Sequence, residues 1–298
     1  MLEEKLDDNL HLSNIKEIDY SIFTWLEIDY VKVEEGLLLR IFKIPSENKE
    51  SKINVIVVPG LCSHFLGWIN SDHELSKIAN IYHIESREKN TAKHSKKKID
   101  YKLETFAEDL NKVITYYNLN EQGFYLLGDS LGAEIAALYM KTSYKAPKGM
   151  ILISPAETFS FSGWMKILFR FAPAWLYYPI LPLLKLILKH YRTDMVNDPG
   201  TYYLNKRNLE TGIPKRMKAC AIELFNYKSE VDYSSFEFPV YIFAASNDKM
   251  HSYEQSEEIT KRIPNVIFEN VLNFQETHSR ETASKMSKFI LEIEKGKK

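Results

Sequence analysis

The chain has 298 residues, 45% of them hydrophobic and 27% charged, with a formal net charge of −1. That balance supplies enough apolar side chains for a large core and lacks the basic excess of a nucleic-acid binder, so no nucleic-acid partner is expected. The two cysteines, Cys62 and Cys220, are too few for a disulfide framework and have no metal-ligand spacing, which suits a reducing compartment. The first 19 residues are acidic and polar without an apolar run, so no signal peptide is expected and the cytoplasm is the expected location.

In chain order, short apolar runs predict strands at 37–44, 53–58, 78–84, 124–127, 150–153, 240–245 and 266–271. Helical spacing appears around Leu75 and at 101–117, 131–144, 253–262 and 281–293. Strands alternating with helices predict an α/β fold, a mostly parallel central sheet with helices on both faces. Between residues 155 and about 235 no strand is convincing. That stretch is aromatic-rich and helical, with Pro173, Pro179 and Pro182. The expectation is a single domain over 1–298, carrying a helical cap or lid at about 155–235.

The pentapeptide Gly128-Asp129-Ser130-Leu131-Gly132 lies between the predicted strand 124–127 and the predicted helix that follows. G-x-S-x-G on a strand-to-helix turn is the setting of a nucleophile elbow. The turn is sharp and holds the serine in strained dihedrals, so a Cβ at either flanking glycine would clash. The helix N-terminus behind Ser130 offers backbone N–H groups to an oxyanion.

A serine hydroxyl attacks at neutral pH only if a base takes its proton and a third group orients that base. In this strand order the acid and then the histidine should follow the serine at later strand ends. Asp248 follows the strand at 240–245 and is preferred as the acid over Glu157, which lies just past the strand at 150–153. His278 follows the last strand and precedes the last helix, and is the expected base. His251, only three residues past Asp248, reads as too near along the chain to be its partner. Backbone N–H groups of Leu61 and Leu131 are the expected oxyanion donors, with Gly60 permitting the tight turn. His64 is expected to pin that loop, and Cys62 to be a small buried filler. This chemistry calls for no metal and no organic cofactor.

The loop Gly60-Leu61-Cys62-Ser63-His64, the segment from Phe124 to Gly132 and the segment from Lys148 to Pro155 resemble those of the α/β-hydrolase superfamily. The resemblance is to its monoacylglycerol lipase and lysophospholipase group, the S33 serine peptidase-like hydrolases. It implies Ser130 as nucleophile, Asp248 as acid and His278 as base, in a serine hydrolase that cleaves carboxylic esters through an acyl-enzyme. A small-molecule acyl ester, of monoacylglycerol or lysophospholipid type, is the implied substrate. A peptidase, thioesterase or acyltransferase using the same triad, or a silent lipid-binding protein on this scaffold, are the alternatives. The chain departs from the group at Pro59, at Asp129 (each a histidine in the group) and at 85–92, where the group carries a glycine-rich turn.

From Trp164 to Tyr191 the insertion is densely apolar, and its charges are Lys166, Arg170, Lys185 and Lys189. Three prolines and a charge-free piece shorter than the ~18 residues of a span argue against a transmembrane helix. The segment could pack on the core, line an acyl pocket, or contact an anionic membrane surface. A second basic cluster runs from Lys93 to Lys98, expected as a solvated loop or a phosphate contact.

Overall fold

The computed structural model describes residues 20–296, apart from 96–97, 143, 160, 162, 194, 197–198 and 249–250. Lys96 and Lys97 of the basic cluster, and residues 1–19, therefore lie outside the described residues.

A sheet of nine strands forms the centre: β1 (Glu27–Glu34), β2 (Leu37–Ile44), β3 (Asn54–Val58), β4 (Asn80–Glu85), β5 (Lys93–His94), β6 (Tyr125–Asp129), β7 (Gly149–Ile153), β8 (Val240–Ala245) and β9 (Val266–Val271). Their spatial order is β1-β2-β4-β3-β6-β7-β8-β9, with the two-residue β5 beside β2. The pairs β1/β2, β2/β4 and β2/β5 are antiparallel, and every pair from β4/β3 to β8/β9 is parallel. Strands β3, β6, β7 and β8 are buried along their whole length, as their unbroken apolar sequence requires when helices cover both faces.

On one face lie α2 (Leu103–Tyr116) and α4 (Leu131–Tyr139), whose Val113, Ile114, Ile135 and Ala136 meet Ile56, Leu126 and Leu152 of the sheet. On the other lie α1 (Ile69–Ser76) and α11 (Arg280–Glu294), which bring Ile69, Leu75, Met286 and Phe289 against Val57, Leu127 and Phe243. The short α3 (Leu119–Gln122), α9 (Tyr253–Thr260) and α10 (Phe274–Thr277) complete the connections.

Strand β1 was not expected. It is antiparallel and its first residues are exposed, so its sequence lacks the continuous apolar run of the buried strands. The helix after Ser130 stops at Tyr139, five residues short of its expected end.

After β7 the chain leaves the sheet for α5 (Gly163–Phe171), α6 (Tyr177–Ile187), α7 (Pro199–Thr211) and α8 (Pro214–Leu224), returning at β8. Among the described residues of this insertion the β pairing is a single bridge, Thr158 with Lys228. Strand β3 is flanked by β4 on one side and β6 on the other, so the connections diverge there. A crevice at the carboxyl ends of strands is where ligands bind in such sheets. The insertion hangs over that crevice.

Candidate active site

Strand β6 delivers Ser130 directly onto the N-terminus of α4, with φ 52° and ψ −114°. A non-glycine residue at positive φ is strained and persists only where its surroundings hold it. Here the Ser130 N–H donates to the Ile153 carbonyl at 2.8 Å. The flanking glycines have steric tasks. A Cβ on Gly128 would lie 2.5 Å from the Gly132 carbonyl oxygen, and one on Gly132 would lie 1.8 Å from that of Val58. The elbow therefore fits only where both Cβ atoms are missing.

Asp248 follows β8 in a tight turn, its N–H donating to the Ala245 carbonyl at 3.2 Å. Its Oδ2 lies 2.6 Å from His251 Nδ1, and its Oδ1 accepts the His251 backbone N–H at 3.3 Å. The other nitrogen of that ring, Nε2, stands 2.9 Å from Ser130 Oγ. The structure thus puts His251, not the expected His278, between the serine and the acid. Three residues are too few for two groups reaching across a site from separate strands. They suffice when one carboxylate accepts from both the backbone N–H and the ring of the same residue. With Nδ1–H donating to Asp248, the Nε2 lone pair faces the Ser130 hydroxyl. Burial alone would lower the pKa of His251, but the hydrogen bond and charge of Asp248, with the charge of Asp129, leave it raised.

His278 stands in the same cavity on a different carboxylate. Its Nε2 is 3.6 Å from Asp129 Oδ2 and its Nδ1 is 2.7 Å from Thr277 Oγ1, while its ring meets the Trp68 indole edge-on at 4.3 Å between centroids. Asp129, next to Ser130 in the chain, is itself buried. Two Asp–His pairs therefore flank Ser130, Asp248 with His251 and Asp129 with His278. Glu157, the rival acid, is engaged elsewhere: its carboxylate pairs with the Arg262 guanidinium at 2.9 Å.

Leu61 and Leu131, the expected oxyanion donors, both border the cavity. Leu131 opens α4. Leu61 sits in a turn closed by the Ser63 N–H donating to Gly60 at 3.0 Å, with Cys62 at φ 57° and its N–H donating to Glu88 at 3.2 Å. Cys62 is buried, and that burial pushes its thiol well above its ordinary range.

His64 ties this loop to the sheet and to the insertion: Nδ1 lies 3.4 Å from Glu85, and Nε2 lies 2.9 Å from the Thr211 hydroxyl at the end of α7. Glu85 is fully buried. Its burial alone would raise its pKa, yet hydrogen bonding to His64 and the charge of Arg40, whose Nη2 is 2.6 Å away, hold it well below the usual carboxylate range. The segment 85–92, where the related group carries a glycine-rich turn, is here a buried charged cluster. Arg87 pairs in a fork with Asp109 at 2.7 and 2.6 Å, and Arg216 of α8 donates to the carbonyls of Lys89 and Ala92. The bonds of Arg216, with that between His64 and Thr211, fasten the insertion over the site.

The cavity above Ser130 has a volume of about 950 Å³. Phe159, Phe161, Met165, Leu131 and Leu224 give it an apolar wall, and Asn205, Arg207, Gln275 and Arg280 give it a polar one.

Residues 99–273, more than half of the chain, match the family described as serine aminopeptidase, S33. The chain belongs to this family of α/β-hydrolases. Solved structures of the same fold include a thermophilic esterase from Thermogutta terrifontis at 14% identity and TM-score 0.67, with 90% of this chain and 99% of that one covered. An esterase from Exiguobacterium antarcticum is similar at 14% identity and TM-score 0.68, with 89% and 98% covered. A bromoperoxidase from Bacillus anthracis is similar at 17% identity and TM-score 0.66, with 90% and 100% covered. At such identities the likeness is one of fold. No curated protein matches the chain.

Proposed function

We propose that the protein is a serine ester hydrolase working through an acyl-enzyme, with Ser130 as nucleophile, His251 as base and Asp248 as the group that orients His251. The hydrogen-bonded chain from Asp248 through His251 to Ser130, on a strained elbow at the mouth of a cavity, carries this reading. Ser130 Oγ attacks the ester carbonyl as Nε2 of His251 takes its proton. The imidazolium formed is stabilised by Asp248, and the tetrahedral oxyanion is stabilised by the Leu61 and Leu131 N–H groups. His251 then returns the proton to the leaving alkoxide. It next activates water, which attacks the acyl-enzyme carbonyl and releases the acid and Ser130.

The apolar wall favours an acyl chain, so the substrate class is an acyl ester of monoacylglycerol or lysophospholipid type. Two of the structural neighbours are named esterases, which agrees with an ester. Labelling by a fluorophosphonate tests the reading. The wild-type protein should be labelled, Ser130→Ala should not, and His251→Ala should label far more slowly. Labelling of Ser130→Ala would sink the nucleophile assignment. Loss of labelling in His278→Ala alone would return the base to His278.

A further inference from the structure

The insertion exposes an apolar surface that its own fold does not cover. In α6 the residues Tyr178, Pro179, Pro182, Leu183 and Leu186 are exposed, while Tyr177, Ile180, Leu181, Leu184 and Ile187 are half-buried against the protein. At ~3.6 residues per turn the exposed set makes one continuous stripe. Its solvent side is as apolar as its packed side, and a helix apolar all round belongs in a buried setting. Exposure reaches 64% at Tyr178, 56% at Leu183 and 55% at Leu186.

Helix α5 repeats the arrangement. Met165 borders the cavity, Phe169 packs edge-on against Phe225, and Lys166 Nζ donates to the Phe225 carbonyl at 2.6 Å. The opposite side presents Ile167 and Phe171, the latter 77% exposed, and the connection to α6 adds Trp175 at 67%. The helix that borders the cavity on one side thus carries the uncovered surface on the other.

The charges that this segment itself carries have one sign. No acidic residue occurs from Gly163 to Thr193, and Arg170 and Lys189 are exposed at its two ends. Lys185 is already matched by Glu210 of α7 at 2.9 Å. A second copy docking face to face would bring Arg170 and Lys189 toward their own counterparts, because a two-fold contact uses the same patch twice. A bilayer bearing anionic headgroups meets both features at once: aromatic and aliphatic side chains at the headgroup boundary, cations on lipid phosphate.

We propose that the exposed side of α5 and α6, with Trp175 between them, docks the protein on an anionic membrane surface, setting the cavity beside the lipid. No helix among the described residues is long and apolar enough to cross a membrane, so the contact is peripheral.

The full-length protein tests this in a vesicle sedimentation assay, phosphatidylcholine against phosphatidylcholine with about a third phosphatidylglycerol. The anionic vesicles should bind the protein, with a loss of at least ~10-fold between low and high salt. Arg170→Glu with Lys189→Glu, and separately Leu183→Glu with Leu186→Glu, should each weaken binding by roughly 10- to 100-fold. Far-UV circular dichroism and the melting temperature should be unchanged in both variants, which shows that they fold. Brominated-chain lipid should quench tryptophan emission in the wild type and much less in Trp175→Phe. Binding that ignores these substitutions, or no binding at all, would overturn the proposal. So would concentration-dependent dimers in light scattering that Leu183→Glu with Leu186→Glu dissolves while vesicle binding is absent. The assay reads lipid binding alone, so a failure of the esterase reading would leave it standing.

Discussion

His251 Nδ1 and Asp248 Oδ2 meet at 2.6 Å although the two residues are three apart in the chain, and the same ring touches Ser130, 121 positions away, at 2.9 Å. A base held this way acts as a unit with its neighbours. His251→Ala and Ser130→Ala should each lower kcat by roughly 10⁴- to 10⁶-fold, and the double variant should be hardly worse than either single one. His278→Ala should cost much less, because its ring stands against Asp129 and Thr277 while it is His251 that reaches Ser130 at 2.9 Å. Steady-state hydrolysis of a p-nitrophenyl ester decides this. Equal collapse in His278→Ala with near-normal rates in His251→Ala would reverse the assignment.

The raised pKa of His251 gives a signed pH dependence. Proton abstraction needs the neutral ring, so kcat/KM should rise with pH through an apparent pKa above the ~6.5 of an unperturbed histidine. Asp248→Asn removes the charge and hydrogen bond that oppose burial, so the acid limb should move to lower pH. The maximal rate should fall about 10⁴-fold, as the imidazole takes the wrong tautomer. An acid limb that stays in place in Asp248→Asn would mean that Asp248 does not face the base.

Much of this site was legible because it rests on steric and hydrogen-bonding demands that short motifs record. Gly128 and Gly132 announce the elbow, and the buried strand before Asp248 announces an acid at a sheet end. The contact of His251 with Ser130 was not legible. It depends on the Asp248 carboxylate holding the backbone N–H and the ring of His251 together, and spacing along a chain does not report such a grip. Strand β1 escaped for a different reason. Its exposed start leaves only Val31 and Val33 as a buried alternation, too little to stand out from loop sequence. The cap composition was visible, but which of its apolar side chains face water is set by how α5 and α6 pack on the rest of the fold.

Buried charge beneath the site gives a stability prediction. Glu134 of α4 is fully buried, and the hydroxyls of Tyr227 and Tyr233 donate to its carboxylate. Burial outweighs those hydrogen bonds and raises its pKa from 4.5 to about 7. A folded pKa above the unfolded one favours the protonated form. The associated stability is therefore complete below the unfolded pKa and is lost as pH rises through about 7. The loss is on the order of 3 kcal/mol. Glu134→Gln should flatten this part of the profile in urea melts between about pH 4.5 and 8. An unchanged slope in that variant would show that Glu134 is ionised throughout.

The elbow glycines and a cap glycine form a matched pair of tests. A methyl group on Gly132 would stand 1.8 Å from the Val58 carbonyl oxygen, part of the backbone of the central strand β3, so relief requires moving the sheet or the nucleophile. Gly132→Ala should destabilise the protein by ~2 kcal/mol or more and abolish turnover. Gly163, at the first position of α5, has nothing within 4 Å of its added Cβ. Gly163→Ala should be neutral or stabilise by up to ~1 kcal/mol, since alanine loses less backbone entropy in a helix. Thermal melts and ester turnover read both, and an active, stable Gly132→Ala would contradict the close approach of α4 to β3.

The cavity wall predicts how turnover depends on the acyl chain. Phe159, Phe161, Met165 and Leu224 of the insertion, with Leu131 of the elbow helix, offer apolar surface in the cavity that Ser130 borders. Each methylene transferred from water to such a wall contributes at most ~0.8 kcal/mol, about a fourfold gain. Across p-nitrophenyl acetate, butyrate, hexanoate and octanoate, kcat/KM should therefore climb several-fold per pair of carbons, and level off once the wall is filled. Met165→Asp puts a carboxylate on that wall, and burying it uncompensated is costly. The variant should lose most of the gain for octanoate and little of the rate for acetate, since acetate does not reach the wall. A flat or falling series in the wild type would show that acyl chains do not bind there, and would point to a short acyl group or an amide as the substrate.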